Sequence, residues 1–417
     1  MKSRVLVSSL VLSLFGLCAG LINAEDFDWP RWRGPNGDGI SIDTDWNPEA
    51  LKNSPKIIWR VDIGRSHSNI AVKGKYLYAI GNEYKVDTVY CLKAKNGKTV
   101  WKYSYESSFD PPQATPTVDE DSVYVLSKTG TLFSFNAENG KVQWMRDLVK
   151  EYETERIPYG YSGSPVIVGD LIILNVNTAG IALNKKTGDL VWVSPVHSEK
   201  RNTHGYHATP VIYKYNGKDY ALILSGTGLF SIEVATGKIL WYFECLWSDI
   251  PNIADPELYE NKVFLRFNSH IDNNLSKCLV IDTSGKEPRV LWENKNLRND
   301  IGTCVLFDGY LYGSDDVFSG LLLRCVDFKT GEVMWEENKM NSTLSLIVAD
   351  GKLIILDENG TLYIAEATPL SYKEISSGDV LDDEIKLRKF WTSPVLCNGK
   401  IYCRNWYGDI VCIDVRK

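Results

Sequence analysis

Methionine is scarce in this sequence: four residues among 417, against 22 Tyr and 13 Trp. A chain poor in methionine and 12% aromatic favours strands over helices. Past the N-terminus no run of basic residues exceeds two, and the net charge is −7, which excludes a nucleic-acid footprint. No apolar stretch after the first 24 residues approaches the roughly eighteen needed for a spanning helix. Cys-x-x-Cys-His is absent, and with it covalently attached haem. Gly-x-Ser-x-Gly is absent too, so the strained-elbow serine nucleophile is excluded. What remains, 44% hydrophobic and 24% charged, is an ordinary globular composition.

Lys2 and Arg4 precede an apolar run, Val5 to Leu21, that closes on Ile22-Asn23-Ala24. A short basic region, a brief apolar stretch and a small residue at the cut read as a secretory signal peptide, residues 1–24. Ser8, Ser9, Ser13 and Gly16 interrupt the run and make it a poor membrane anchor. Leu17 precedes Cys18, where a lipidation signal wants Gly, Ala or Ser. Cleavage near Ala24 takes two cations from the −7 total, leaving −9. The expected product is a soluble, monomeric protein of the periplasm or the extracellular space.

A repeat organises the rest. Lys95-Asn-Gly-Lys-Thr-Val-Trp101 returns as Glu138-Asn-Gly-Lys-Val-Gln-Trp144, Lys186-Thr-Gly-Asp-Leu-Val-Trp192, Ala235-Thr-Gly-Lys-Ile-Leu-Trp241 and Lys329-Thr-Gly-Glu-Val-Met-Trp335. A copy with an insertion ends at Trp292. Successive Trp spacings of 43, 48, 49, 51 and 43 residues are propeller-sized. Each repeat reads as four short strands. Pro116, Pro165, Pro210, Pro256 and Pro394 open the first strand, where a missing N–H costs no ladder bond. Cys304 and Ser345 stand for Pro in two repeats. Hairpin turns such as Asp308-Gly309 and Asn398-Gly399 follow.

Seven units begin near Ile70, Pro116, Pro165, Pro210, Pro256, Cys304 and Ser345. An eighth begins at Pro394 and runs out of chain after three strands. Lys56-Ile-Ile-Trp59-Arg-Val-Asp62 looks like an orphan fourth strand. The prediction is an all-β, eight-bladed propeller of four-stranded antiparallel blades over residues 56–417, closed by that N-terminal strand. Trp59, Trp101, Trp144, Trp192, Trp241, Trp292 and Trp335 are its structural tryptophans. Residues 25–55, with Trp29, Trp32 and Trp46, are expected to lie across the outside or one face of the ring. Residues 369–389, in blade 7, read as a loop insertion with Asp382-Asp383-Glu384. Cys91, Cys325 and Cys412 share a position with Ser134, Ala182 and Ser231, six residues before the turn Gly where that turn exists. Small residues there imply close-packed blades and buried thiols rather than disulfides.

The pattern in Cys325-Val-Asp-Phe-Lys-Thr-Gly-Glu-Val-Met-Trp335 and Ala182-Leu-Asn-Lys-Lys-Thr-Gly-Asp-Leu-Val-Trp192 is similar to the pyrroloquinoline-quinone (PQQ) propeller repeat. Asp28-Trp-Pro-Arg-Trp-Arg-Gly-Pro-Asn-Gly-Asp-Gly39 resembles the opening of exported PQQ-like propellers. The resemblance covers nearly the whole mature chain, and it implies two branches. Quinoprotein dehydrogenases carry PQQ and Ca²⁺ at the ring centre. Outer-membrane assembly factors use a similar ring as a scaffold without cofactor. In the family, the repeat Trp and Gly hold blades together.

The alcohol-oxidising branch uses adjacent cysteines beside PQQ, and no two cysteines are adjacent here. Ca²⁺ needs about six to eight oxygens. The acidic groups to inspect are Asp119-Glu120-Asp121, Asp315-Asp316 and the blade 7 acids, each also readable as a turn or surface patch. Arg201, His204, Tyr206 and His207 precede the Pro210 strand, at the expected channel mouth. Tyr159 and Tyr161, His67 and Asn69, and Gln113 take comparable positions in other blades. These groups could line the channel with water, hold a small ligand or partner, or bind Zn²⁺ through His204, His207 and His67. Trp247 sits in a blade 4–5 loop suited to a partner or a sugar. The function expected is a non-catalytic scaffold with a protein or glycan partner and no cofactor. The alternatives are a PQQ- or metal-dependent oxidoreductase at the channel mouth and a polysaccharide-binding propeller.

Overall fold

A computed structural model describes residues 27–108, 110–152, 159–176, 179–194, 207–245, 253–267, 276–298, 302–315, 321–340, 343–381 and 391–417. Strands form eight sheets, seven of them with their four propeller strands in sequence order. Blade 1 is Ala71–Lys73, Tyr76–Glu83, Val86–Lys93 and Thr99–Glu106. The eighth pairs Val395–Cys397, Lys400–Arg404 and Asp409–Asp414 with the N-terminal strand Ile57–Asp62. That strand closes the ring, as the orphan fourth strand predicts. First strands of neighbouring blades approach one another and border the central channel.

Cross-strand register explains the repeat residues. Cys91 lies opposite Trp101, Ser134 opposite Trp144, Cys325 opposite Trp335 and Cys412 opposite Trp59. Each Trp ring then reaches the next blade. The Trp101 indole donates to Ala137 O at 2.8 Å and covers Gly140, whose φ of +71° admits no ordinary side chain. Trp59, Trp144, Trp192 and Trp292 cover Gly97, Gly188, Gly237 and Gly331 in the same way. All eight cysteines among the described residues are buried free thiols, and burial pushes Cys91 up to about 12.

Blade 7 departs from the expectation twice. Its first strand is Leu344–Ala349, and the residue in register with the other openers is Leu346, so Ser345 lies inside the strand. Its fourth strand, Glu374–Asp379, falls within the stretch read as a loop insertion. The stretch carries no Trp, which is why it escaped the pattern. Ser376 holds the Trp position, and its hydroxyl donates to Pro48 O. The reason is topological: blade 8 takes its fourth strand from the other terminus, so it has no third-to-fourth turn for a Trp to cover. The N-terminal segment packs there, with Trp46 and Leu51 buried against Val380 and Leu381.

The segment before the ring-closing strand is the larger correction. Its later part, around Pro48 and Leu51, runs over the outer strand of blade 7, but residues 28–43 dip into the channel. Asp28 accepts the Gly74 N–H at the blade 1 hairpin turn, and Asp43 accepts the Gly399 N–H at the equivalent turn of blade 8. Between them Trp29 pairs with Val72, Pro30 O accepts Val118 N–H, and Ile40–Ser41 adds a parallel strand to Val348–Ala349. First strands have bare inner edges, and this segment satisfies their backbone groups. Buried Trp29 and Arg33 could not be covered on an open face.

Candidate functional site

The first strands begin at the end of the channel opposite those hairpin turns. Here the residue before each opening Pro links blade to blade. Asn69 N–H donates to Thr115 Oγ1 at 3.0 Å, Thr115 N–H to Ser164 Oγ at 2.9 Å, Ser164 N–H to Thr209 Oγ1 at 3.1 Å, and Thr209 N–H to Asp255 Oδ1 at 2.7 Å. This ladder spans blades 1 to 5 and fixes the mouth. Its signal was in the sequence as a hydroxyl or acid directly before Pro116, Pro165, Pro210 and Pro256.

The tip of the inserted segment forms the floor. Trp32 Nε1 donates to Asp255 Oδ2 at 2.6 Å. Arg33 pairs with Glu257 at 2.7 Å and donates to Cys304 O, with both side chains almost fully buried. Burial pushes the Glu257 carboxyl up to about 7 against the attraction of Arg33, and burial likewise raises Asp255. A small cavity among Trp29, Trp32, Arg33, Asn69 and Thr303 has room for about one water.

Above the floor the predicted residues separate into groups. His207 Nδ1 lies 2.6 Å from Ser162 Oγ, its ring is 6.2 Å from that of Tyr159, and Gln113 Nε2 donates to Tyr159 O. Gln113, Tyr159 and His207 therefore meet on blades 2 to 4. His67 stacks on Trp391 at 4.6 Å beside Trp406, at the seam of blades 8 and 1. Arg65 lies over the Trp406 ring, and the Trp391 indole donates to Glu358. Nothing in the repeat pattern singled out Trp391, Trp406 or Arg65.

Asn69 is buried at the cavity wall, and Tyr161 is core, packed against Gly130 between blades 2 and 3, rather than at the mouth. Arg201, His204, Tyr206 and Trp247 lie outside the described residues, as do the signal segment, Asp316 and the acids at 382–384. Among the described residues no group of three His, Cys, Asp or Glu could hold a metal ion. Asp315 is not a surface acid but a buried one clamped by Arg298 and Arg324, at 3.0 and 2.6 Å. Asp119 pairs with Lys185 at 2.6 Å.

The fold is that of an eight-bladed β-propeller, and its repeat is similar to the PQQ-like one. Residues 50–248 match the family model described as outer membrane protein assembly factor BamB. Among curated proteins, the chain is similar to outer membrane protein assembly factor BamB of Yersinia pestis, 24% identical over 355 residues, 80% of this chain and 83% of the relative. Among solved structures, BamB from Moraxella catarrhalis matches with a TM-score of 0.61 and 14% identity, covering 86% of this chain and 99% of its own. Quinohemoprotein alcohol dehydrogenase from Comamonas testosteroni matches with a TM-score of 0.71 and 10% identity, covering 94% and 81%. At such identities the structural likeness speaks for the fold alone. No helix among the described residues is long and apolar enough to cross a membrane.

PQQ does not fit at the ring centre. A group of that size would have to displace Trp29, Arg33 and Gly39, and with them the Arg33–Glu257 pair. A Cβ on Gly39 would already lie 2.7 Å from Val305, so the inserted segment is packed without slack.

Proposed function

We propose that this chain is a non-catalytic protein-binding scaffold of the outer-membrane assembly type, engaging its partner through the channel mouth. The observation that carries the reading is the filled ring centre: the place where a quinoprotein would hold its cofactor is occupied by the chain's own residues 28–43. Similarity to outer membrane assembly factors supports the same class. The mouth offers Tyr159, 55% exposed, beside Gln113 and the stacked His67–Trp391 pair. Aromatic groups on a rigid ring bind at low entropic cost. Export to the periplasm and a single-chain state belong to this reading.

The test places a photo-crosslinking residue at Tyr159 in the full-length chain in its own cells, with exposed Leu370 as the control. An adduct to an outer-membrane assembly component from the first position alone is expected. Adducts only from Leu370, or none from Tyr159, contradict the reading. A second reading, polysaccharide recognition, is favoured by Trp391 and Trp406, whose rings could stack on sugar. Retention on a glycan array that Trp391→Ala abolishes, with no protein adduct, would select it.

A further inference from the structure

The side-chain ladder that fixes the mouth stops at Asp255 of blade 5. Strand register places Thr303, Ser345 and Ser393 at the same position in blades 6, 7 and 8. Each has the hydroxyl that the ladder uses, yet among the described residues no hydrogen bond carries it on from Asp255 or back to Asn69. The inserted segment runs through this part of the channel, with Ile40–Ser41 paired to Val348–Ala349. The small cavity beside Trp29 and Arg33 opens where the ladder is missing, bordered by Thr303 of blade 6, Ser393 of blade 8 and Asn69 of blade 1.

The polar groups of its lining are donors. Trp29 and Asn69 are each 1% exposed, and Trp29 Nε1 and Asn69 Nδ2 are buried without a partner. The Asn69 amide cannot be turned round, because its Oδ1 already accepts the Ile70 N–H at 2.8 Å. An indole N–H can only donate. Arg33 makes its bonds through Nη2, to Asp38 O, Cys304 O and Glu257, and its other nitrogens bond to no described residue. Thr303 and Ser393 are partly exposed and add two hydroxyls. Trp32 also lines the cavity, but its N–H is taken by Asp255. Among the described residues no carboxylate lines it. Orphaned buried donors are rare, because each forfeits the hydrogen bond it made with water. A water in this space would need acceptors for its own two hydrogens, and only the hydroxyls could serve. A halide needs none.

We propose that this cavity binds one small monovalent anion of chloride size, with the Trp29 and Asn69 N–H groups and the Arg33 guanidinium as its principal donors. Room for about one water excludes a polyatomic anion. The surrounding charge suits a single negative ion. Arg31, Arg33 and Arg266 face Asp38, Asp255 and Glu257, and Cys304, pushed up to about 12, stays neutral. Burial pushes Glu257 up to about 7, so its proton leaves one positive charge for the anion to balance. The anion replaces the missing ladder, tying the inserted segment through Trp29 and Arg33 to blade 1 through Asn69.

The test is thermal unfolding of the intact chain at about pH 6, where Glu257 holds its proton, in sodium chloride, sodium bromide and sodium gluconate at matched ionic strength. The isosteric Asn69→Asp variant is run alongside; it keeps an acceptor for the Ile70 N–H and replaces the orphaned donor with a negative oxygen. Chloride and bromide are expected to raise the wild-type midpoint by about 2 °C over gluconate, the size expected of a ligand at about ten times its Kd. The variant should lose that difference. Bromide soaked into crystals of the wild-type chain should give an anomalous peak between Trp29 Nε1 and Asn69 Nδ2, a readout that does not require the variant to fold. Equal midpoints in all three salts, with no bromide peak, would mean that water fills the cavity. A peak without a shift in midpoint would mean an adventitious ion only. A shift that persists in Asn69→Asp, or one with no peak at this place, would put the anion elsewhere and equally overturn the assignment.

Discussion

At the residue scale, the contact repeated around the ring is a Trp of one blade lying flat on a positive-φ Gly of the next. Two glycines separate the backbone requirement from the contact. Gly140 has φ +71° and an added Cβ would fall 2.5 Å from Trp101, while Gly309 has φ +80° with open space around it. Gly309→Ala should cost about 1 kcal/mol, the strain of left-handed backbone alone. Gly140→Ala should cost at least about 2 kcal/mol more, because the indole must leave its seat. Denaturant midpoints of the two variants check this, and equal losses would show that the staple is not a contact at all. This much was legible: Gly, Trp and the small residue across from them recur in the sequence at fixed offsets. Trp391, Trp406 and Arg65 at the mouth were not legible, because they lie outside the offsets of the repeat.

At the element scale, strands with a Trp were visible and the strand without one was not. Glu374–Asp379 lost its marker because its neighbour has no turn to be covered, a fact of ring closure rather than of local sequence. The inserted segment was misplaced for a related reason. Gly, Pro and Asp mark it as irregular chain, but its destination is set by the unpaired inner edges of strands far away in sequence. Its docking makes a pH prediction. Glu257 is held near 7 in the folded protein against an ordinary value of 4.5, so the folded state binds the extra proton between them. Stability should therefore fall as pH rises from about 4.5 to about 7 and level off above. Glu257→Gln should flatten that slope, with the variant closest to the wild type below about pH 4.5, where the wild-type carboxyl is itself neutral. An unchanged slope in pH-dependent unfolding would mean that Glu257 is not the titrating group.

At the scale of the whole molecule, the ring is locked where its two ends meet. Arg404, fully buried in blade 8, donates to Ser68 O and Ile80 O of blade 1 at 3.0 and 3.1 Å. Burial lowers its guanidinium to about 9, so it remains charged at neutral pH and holds the seam through carbonyls rather than a carboxylate. Blade number and closure could be read by counting repeats, since an orphan fourth strand and a blade lacking one have a single economical solution. The filled centre could not, and on the reading proposed above it is what distinguishes a scaffold from a quinone enzyme built on the same ring. Titration of PQQ into the purified protein with Ca²⁺ present, followed by calorimetry, tests this most directly. The account predicts no heat beyond dilution from a protein that circular dichroism shows to be folded. Binding at micromolar strength or tighter would contradict it, because Trp29 and Arg33 fill the ring centre that the quinone would need.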